Sequence, residues 1–143
     1  MRRLIPCVAL VVGLVAPAAS AQDSAAALKP LQGRWIITSA QHQGKAIEGL
    51  TGGVMLITGQ TFEIRPATGM PMKGTLKIDS TKRPLQIDFT HAGGVRWEGI
   101  YEVAVTSLRL AYVDAGVEEP RPDGFTTSAK SEVSSVSMRR ESR

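Results

Sequence analysis

His42, His91 and Cys7 are the side chains of this sequence whose types best suit metal ligation or nucleophilic chemistry. The two histidines stand far apart, no His-Glu-x-x-His run occurs and no carboxylate sits at ligand spacing from either, so no metal site is expected. Asp88, three residues before His91, could hold an imidazole in an acid–base dyad, with Glu98 as a third member. In the alternation of its segment, however, Asp88 falls on the outer face, and both histidines read as exposed loop residues. The Gly52-Gly53 and Gly93-Gly94 pairs precede extended runs and do not open helices, which makes them turns and not phosphate loops. No Gly-x-Ser-x-Gly elbow is present. No catalytic residue and no cofactor is expected, because an enzyme would need a convergent polar cluster that the sequence does not display.

Cys7 belongs to a segment with a different purpose. Met1-Arg2-Arg3 is a positive start, residues 8–15 are apolar, and Ala19-Ser20-Ala21 places small residues where a signal peptidase reads them. The apolar stretch, interrupted by Pro6 and Pro17, is shorter than the roughly 20 residues a membrane-crossing helix needs. Residues 1–21 therefore read as a signal peptide cleaved after Ala21, and the protein as periplasmic or secreted with no stable membrane anchor. Removing 21 of 143 residues leaves 122, enough for one core, and takes away Arg2, Arg3 and the single Cys. The mature chain can then form no disulfide and no thiolate site. Its 15 remaining cations stand against 13 acids, so the formal charge falls from +4 to +2 with no basic run, and no nucleic-acid partner is expected.

The elements that would position any site are strands. Residues 22–32 form a lead-in, where Asp23 or Ser24 can cap a short helix through Ala25 and Leu28 that Pro30 or Gly33 stops. Beyond it, in a domain of residues 33–143, short runs rich in Val, Ile, Thr and aromatics alternate with Gly, Pro and Asp turns. Eight strands are expected, at 34–43, 54–58, 61–65, 72–79, 85–90, 95–103, 107–113 and 133–140. Their short connections imply an antiparallel meander, and a meander of that size removes its edges by closing into a barrel. Alternation points Trp35, Ile37, Phe62, Ile64, Leu76, Ile78, Phe89, Trp97, Tyr101, Leu110, Tyr112, Val136 and Met138 inward. It turns Lys73, Lys77, Asp88, Glu98, Glu102 and Arg109 to solvent, and Asp79 and Asp88 flank the Lys82-Arg83-Pro84 turn, where they would accept from turn backbone or pair with its cations. The stretch 114–132, with Pro120 and Pro122, is long for a connection and reads as a mobile loop or as holding a short further strand.

Several pieces then fall in a recognisable order. Leu31-Gln32-Gly33-Arg34-Trp35, the run from Gly74 to Asp79, Thr81-Lys82-Arg83-Pro84 followed by Ile87-Asp88, Gly99-Ile100-Tyr101-Glu102, Arg121-Pro122 with Phe125, and Met138-Arg139-Arg140 give a chain that resembles a family of small lipocalin-like domains abundant in planctomycete-type bacteria. The resemblance spans residues 28–141 and implies a lipocalin-like barrel, commonly exported, with no agreed activity or catalytic residue. It also implies that Trp35 covers one barrel end. An Arg of the last strand can lie over that indole, and Arg140 shares the parity of Val136 and Met138, so Gly33, Trp35 and Arg140 are expected to close the barrel. Arg121 and Phe125 would either pin the long loop or bind an anion at the mouth. Family members usually end in an apolar strand, whereas 128–137 is Ser-rich, so the last strand either starts only at Val133 or closes loosely.

Two functions follow. A non-enzymatic domain would hold a small apolar or amphipathic ligand in the barrel, against Phe62, Leu76, Phe89, Trp97, Tyr101 and Tyr112. Alternatively, an envelope interaction module or inhibitor would act through 114–132 on a protein partner the sequence does not name. The size of the cavity is the discriminating quantity, since so many inward aromatics can fill a barrel of 122 residues by themselves.

Overall fold

Sequential antiparallel pairing carries the chain around a closed wall. The computed structural model describes residues 21–142, with side chains from Ala25 onward; the expected leader and Cys7 lie outside what it describes, and because the helix backbone already runs from Ala21, Asp23 and Ser24 stand within the helix and do not cap its start. A helix α1 (Ala21–Leu28) and a 3₁₀ turn (Lys29–Leu31) precede nine strands: β1 (Gly33–His42), β2 (Lys45–Ala46), β3 (Val54–Thr58), β4 (Thr61–Arg65), β5 (Met72–Asp79), β6 (Leu85–His91), β7 (Arg96–Val103), β8 (Ser107–Asp114) and β9 (Ser134–Arg140). Strands β1 and β3 to β9 form an eight-stranded antiparallel meander that closes when β9 pairs back onto β1, and the two-residue β2 is an addition at the end of β1. Closure leaves the eight main strands without an open edge. Among the described residues no helix is long and apolar enough to cross a membrane.

The last strand starts at Ser134, the shorter of the two expected alternatives, and its serines do not loosen the seam. It pairs with β1 from Trp35↔Arg140 to His42↔Ser134, because backbone hydrogen bonds are indifferent to the polarity of outward side chains. A bulge between Ile37 and Ser39 interrupts that register, and the Thr38 hydroxyl bonds back to Ser137 O at 3.0 Å. One extra residue reverses the parity of everything after it, so Ala40 and His42 face inward where strict alternation would turn them out.

One end of the barrel is plugged. Leu28 and Leu31 from the lead-in are buried in the same core as Trp35, so these residues complete the barrel. The Trp35 indole N–H donates to Leu31 O at 2.9 Å, and the Arg140 guanidinium lies over the indole, 4.2 Å from the ring centre. Arg140 also donates to Gln32 O, Pro30 O and Val105 O at 2.6, 2.7 and 2.9 Å, tying lead-in, β9 and the β7–β8 turn together. Gly33, at φ +120°, is needed there twice over: an added Cβ would stand 3.0 Å from Arg140 Nη1 and in a conformation L residues avoid. Gln32 clasps the β3–β4 hairpin from the same end, accepting from Gly59 N–H at 2.6 Å and donating to Gly59 O at 3.1 Å.

The 115–133 segment holds no further strand; it is a strap fastened across the outside of the wall. Ile100, Ala111 and Val113 have outward parity yet are buried, because Val117, Phe125 and Val133 cover them in a second small core. Arg121 fixes the strap by donating to Asp88 Oδ1 at 2.7 Å, Gly99 O at 2.8 Å and Ile87 O at 3.3 Å. Asp88 is therefore the partner of Arg121, not a solvated carboxylate and not a partner of the turn cations. Asp79 does serve its turn, accepting from Thr81 N–H at 3.0 Å. Phe125 lies under the Arg109 guanidinium at 4.4 Å, so the pinning role expected of Arg121 and Phe125 is the one the contacts display.

Candidate functional site

Antiparallel order places the β1 C-terminus, the β6–β7 turn and both ends of the strap at the end opposite the plug, where Leu50 of the β2–β3 connection packs on the core, and this end, the mouth, gathers the polar inward residues. Its wall is aromatic. Phe62 and Phe89 meet edge to face with ring centres 5.0 Å apart, Phe89 meets Trp97 at 6.2 Å, and Trp97 stacks on Tyr112 at 4.3 Å with the planes 18° apart. Gly74, between Phe62 and His91 in register, has no side chain to separate them, and their rings touch across it at 5.3 Å. Offset and edge-on contacts of this kind add about 0.5–1.5 kcal/mol each beyond burial.

His91 is not an exposed loop residue. Strand β6 runs one residue further than its alternation suggested, and His91 continues the inward series of Ile87 and Phe89. Its ring meets Trp97 edge-on at 4.0 Å, and its Nε2 is buried with no hydrogen-bond partner. Burial lowers its pKa, opposed by the charge of Asp114. Asp88 and Glu98 face each other across β6 and β7 on the outer surface, so the Asp88–His91–Glu98 cluster is not formed.

His42 too faces the mouth, through the bulge. Its Nδ1 lies 2.9 Å from Ser134 Oγ and its Nε2 3.6 Å from Glu132 Oε2 at the end of the strap. Ser134, only 8 % exposed, is hydrogen-bonded in turn with the Tyr112 hydroxyl. Burial pushes the Tyr112 phenol up to about 12, with the Ser134 bond opposing it, so Tyr112 is a neutral hydrogen-bonding group at any physiological pH. Glu132, His42 and Ser134 have the residue types of an acyl-transfer triad, but the serine stands in the barrel wall with its hydroxyl shared between His42 and Tyr112. The arrangement joins the strap to the mouth as a polar relay.

Beneath this relay the core is not completely filled. A cavity of about 40 Å³ lies among Ile37, Leu50, Met55, Ile64, Met72, Phe89, Trp97, Leu110, Tyr112, Val136 and Met138. That is room for about two or three water-sized spheres, in a site with too few polar partners to hold water well. It is far below the roughly 300–1,000 Å³ of a site that engulfs a ligand. Of the six residues expected to line a ligand site, Phe89, Trp97 and Tyr112 border this cavity and Phe62 packs behind it, whereas Leu76 and Tyr101 belong to the core but do not line it. Among the described residues no group of three or more His, Cys, Asp or Glu could hold a metal ion. His42, Ser134, Glu132 and Met72 were not picked out for this site by sequence reasoning. Met72 shares the inward parity of Leu76, which was a usable signal, whereas His42 depends on a bulge that leaves no trace in residue type. Against family models, curated proteins and solved structures, the chain has no match in any of the three comparisons.

Proposed function

We propose that this chain is an exported, non-enzymatic lipocalin-like domain that binds a small amphipathic molecule at the end of its barrel opposite the plug. The supporting observation is the apolar void beneath Trp97 and Tyr112, next to the mouth's hydrogen-bonding groups. At about 40 Å³ it admits the tip of an apolar chain and not a whole ligand, so the rest of the molecule lies at the mouth, where His42, Tyr112 and Ser134 offer hydrogen bonds. Met55, Met72 and Met138 around the void have flexible, unbranched side chains that can yield to an entering group. Acting through the strap on a protein partner is the weaker reading, because Val117 and Phe125 are already spent on the barrel's own outer face.

The test is titration of the full chain with 1-decanol, followed by the fluorescence of Trp97, with Trp97→Phe to identify the signal. Saturable binding is expected, weakened about fourfold by Val136→Ile, which adds one methylene to the cavity wall, at about 0.8 kcal/mol per CH₂ displaced. No saturable change with decanol, together with no retained small molecule in native mass spectrometry of protein from its own envelope fraction, would sink the proposal.

A further inference from the structure

Two of the three large apolar side chains left exposed among the described residues stand at the mouth. Met70, 84 % exposed, lies in the connection between β4 and β5, and Val95, 48 % exposed, in the turn between β6 and β7; the third, Val105, is at the plugged end. We propose that the rim formed by residues 66–71 and 92–95 docks reversibly on an anionic lipid surface, which brings the barrel to the phase where an amphipathic ligand dissolves. The docking stands on its own observations, and its use in loading the cavity rests on the binding function proposed above.

The two connections are neighbours, since β5 pairs with β6 and Ala92 N–H donates to Lys73 O at 2.9 Å. Neither tip carries a charge: residues 66–72 and 92–95 hold no acidic or basic side chain. Their backbones are tied before any contact is made. Thr68 N–H donates to Gly49 O at 3.0 Å, and His91 N–H to Val95 O and Gly94 N–H to His91 O, both at 2.8 Å. Docking preformed tips costs little ordering entropy. Val95 stands across its turn from His91 and two residues before the half-buried Trp97, which borders the cavity, so the rim and the cavity wall belong to one strand end.

The charges around the tips fit an anionic surface. Arg65 ends β4, Lys73 is second in β5 and Arg96 begins β7, so exposed cations flank both uncharged tips. The acids of the same strands, Glu63 and Glu98, pair with Arg65 at 2.9 Å and with Arg96 at 3.9 Å. Each lies two residues further from the tip and is less exposed than its cation, so the cations reach a surface first. The strap side of the mouth has the opposite sign. Asp114, Glu118, Glu119, Asp123 and Glu132 stand there against Arg121 and Lys130. Repulsion on that side tilts the barrel until the β4–β7 side meets the lipid and the strap stays in water. A stable protein interface buries about 800 Å² per partner around a packed apolar centre. Two separate tips ringed by cations do not offer that centre, whereas a lipid interface receives apolar groups without matching their shape.

The test is co-sedimentation of the full chain with vesicles of equal parts phosphatidylcholine and phosphatidylglycerol, with no ligand added. Binding is expected, and Met70→Asp and Val95→Asp should each weaken it at least about tenfold, the factor for keeping one apolar side chain out of the lipid. Val105→Asp, at a site as exposed as Met70 but at the plugged end, should leave it unchanged. Lys73→Gln and Arg96→Gln should each cost about fivefold on these vesicles and nothing on phosphatidylcholine alone, and added salt should act in the same direction. Urea midpoints equal to the wild type's establish that the variants are folded. A wild type that stays in the supernatant, or binding that Val105→Asp removes as fully as Met70→Asp, overturns the proposal. So does a dimer in sedimentation velocity that Met70→Asp dissolves, which would assign the rim to a second copy of the chain. Decanol binding is measured without vesicles, so the two readings fail separately. Docking without decanol binding keeps the rim and removes the ligand site, and decanol binding without docking does the reverse.

Discussion

The two ends of the barrel are built from similar materials to opposite effect. At the plugged end one cation, Arg140, satisfies three backbone carbonyls and covers an indole, and Trp35 has both its faces and its N–H engaged. At the mouth a histidine–aromatic set leaves a void, an unpartnered His91 nitrogen and a hydroxyl relay that ends on a half-exposed carboxylate. The difference teaches that saturation marks the structural end. Side chains whose polar groups are already partnered have little left for a ligand, and the unpartnered His91 nitrogen lies at the other end.

If that contrast is correct, damage at the plug should cost far more than damage at the mouth. Trp35→Ala removes the largest fully buried side chain at the closure and should lower stability by about 3–5 kcal/mol in urea unfolding. An unchanged melting temperature would show that the barrel does not close on Trp35. Arg140→Met keeps much of the stem but strands three carbonyls and loses the cation over the indole, and a loss of about 2–3 kcal/mol is expected by the same measurement. Arg121→Ala should cost about 1–3 kcal/mol, since it leaves the half-buried Asp88 carboxylate and two carbonyls without their donor. The strap should then show faster amide exchange over 115–133 while the plug residues keep their protection.

The smallest effect belongs to His91 and concerns pH. Its pKa is lowered in the folded barrel, so the unfolded chain binds the proton first. Stability from this group is full above the unfolded value of about 6.5 and declines as pH falls from there toward the lower folded value. His91→Gln should remove that slope from urea midpoints measured across about pH 7.5 to 5. A slope unchanged by the substitution would mean that His91 is not the buried neutral ring described.

Much of this was legible before the fold was seen. The eight runs of β-branched and aromatic residues, the turns that separate them and the inward parity of Phe62, Phe89, Trp97 and Tyr112 are local properties, set by side-chain alternation and turn chemistry. The Trp35–Arg140 stack was within reach because both residues sit on strands whose parity reads cleanly. The mouth was less accessible. His42 reads as an exposed loop residue because the bulge at Thr38 that turns it inward leaves no local trace, and Asp88 reads as solvated because its partner, Arg121, lies 33 residues away in a stretch with no periodicity.

What the sequence determined by itself is the wall: how many strands, which side of each is apolar, and that a short-loop meander of this size must close. Those properties repeat every two residues and need no knowledge of distant chain. Only the tertiary structure decided how the two ends differ. The plug required Leu28 and Leu31 to fold back under Trp35, the strap required Arg121 to find Asp88 and Gly99, and the relay required His42, Ser134 and Glu132 to meet across about 90 residues of intervening chain. Such meetings depend on closure itself, and on leftover volume of about 40 Å³, a small difference between large packed volumes that no local pattern encodes.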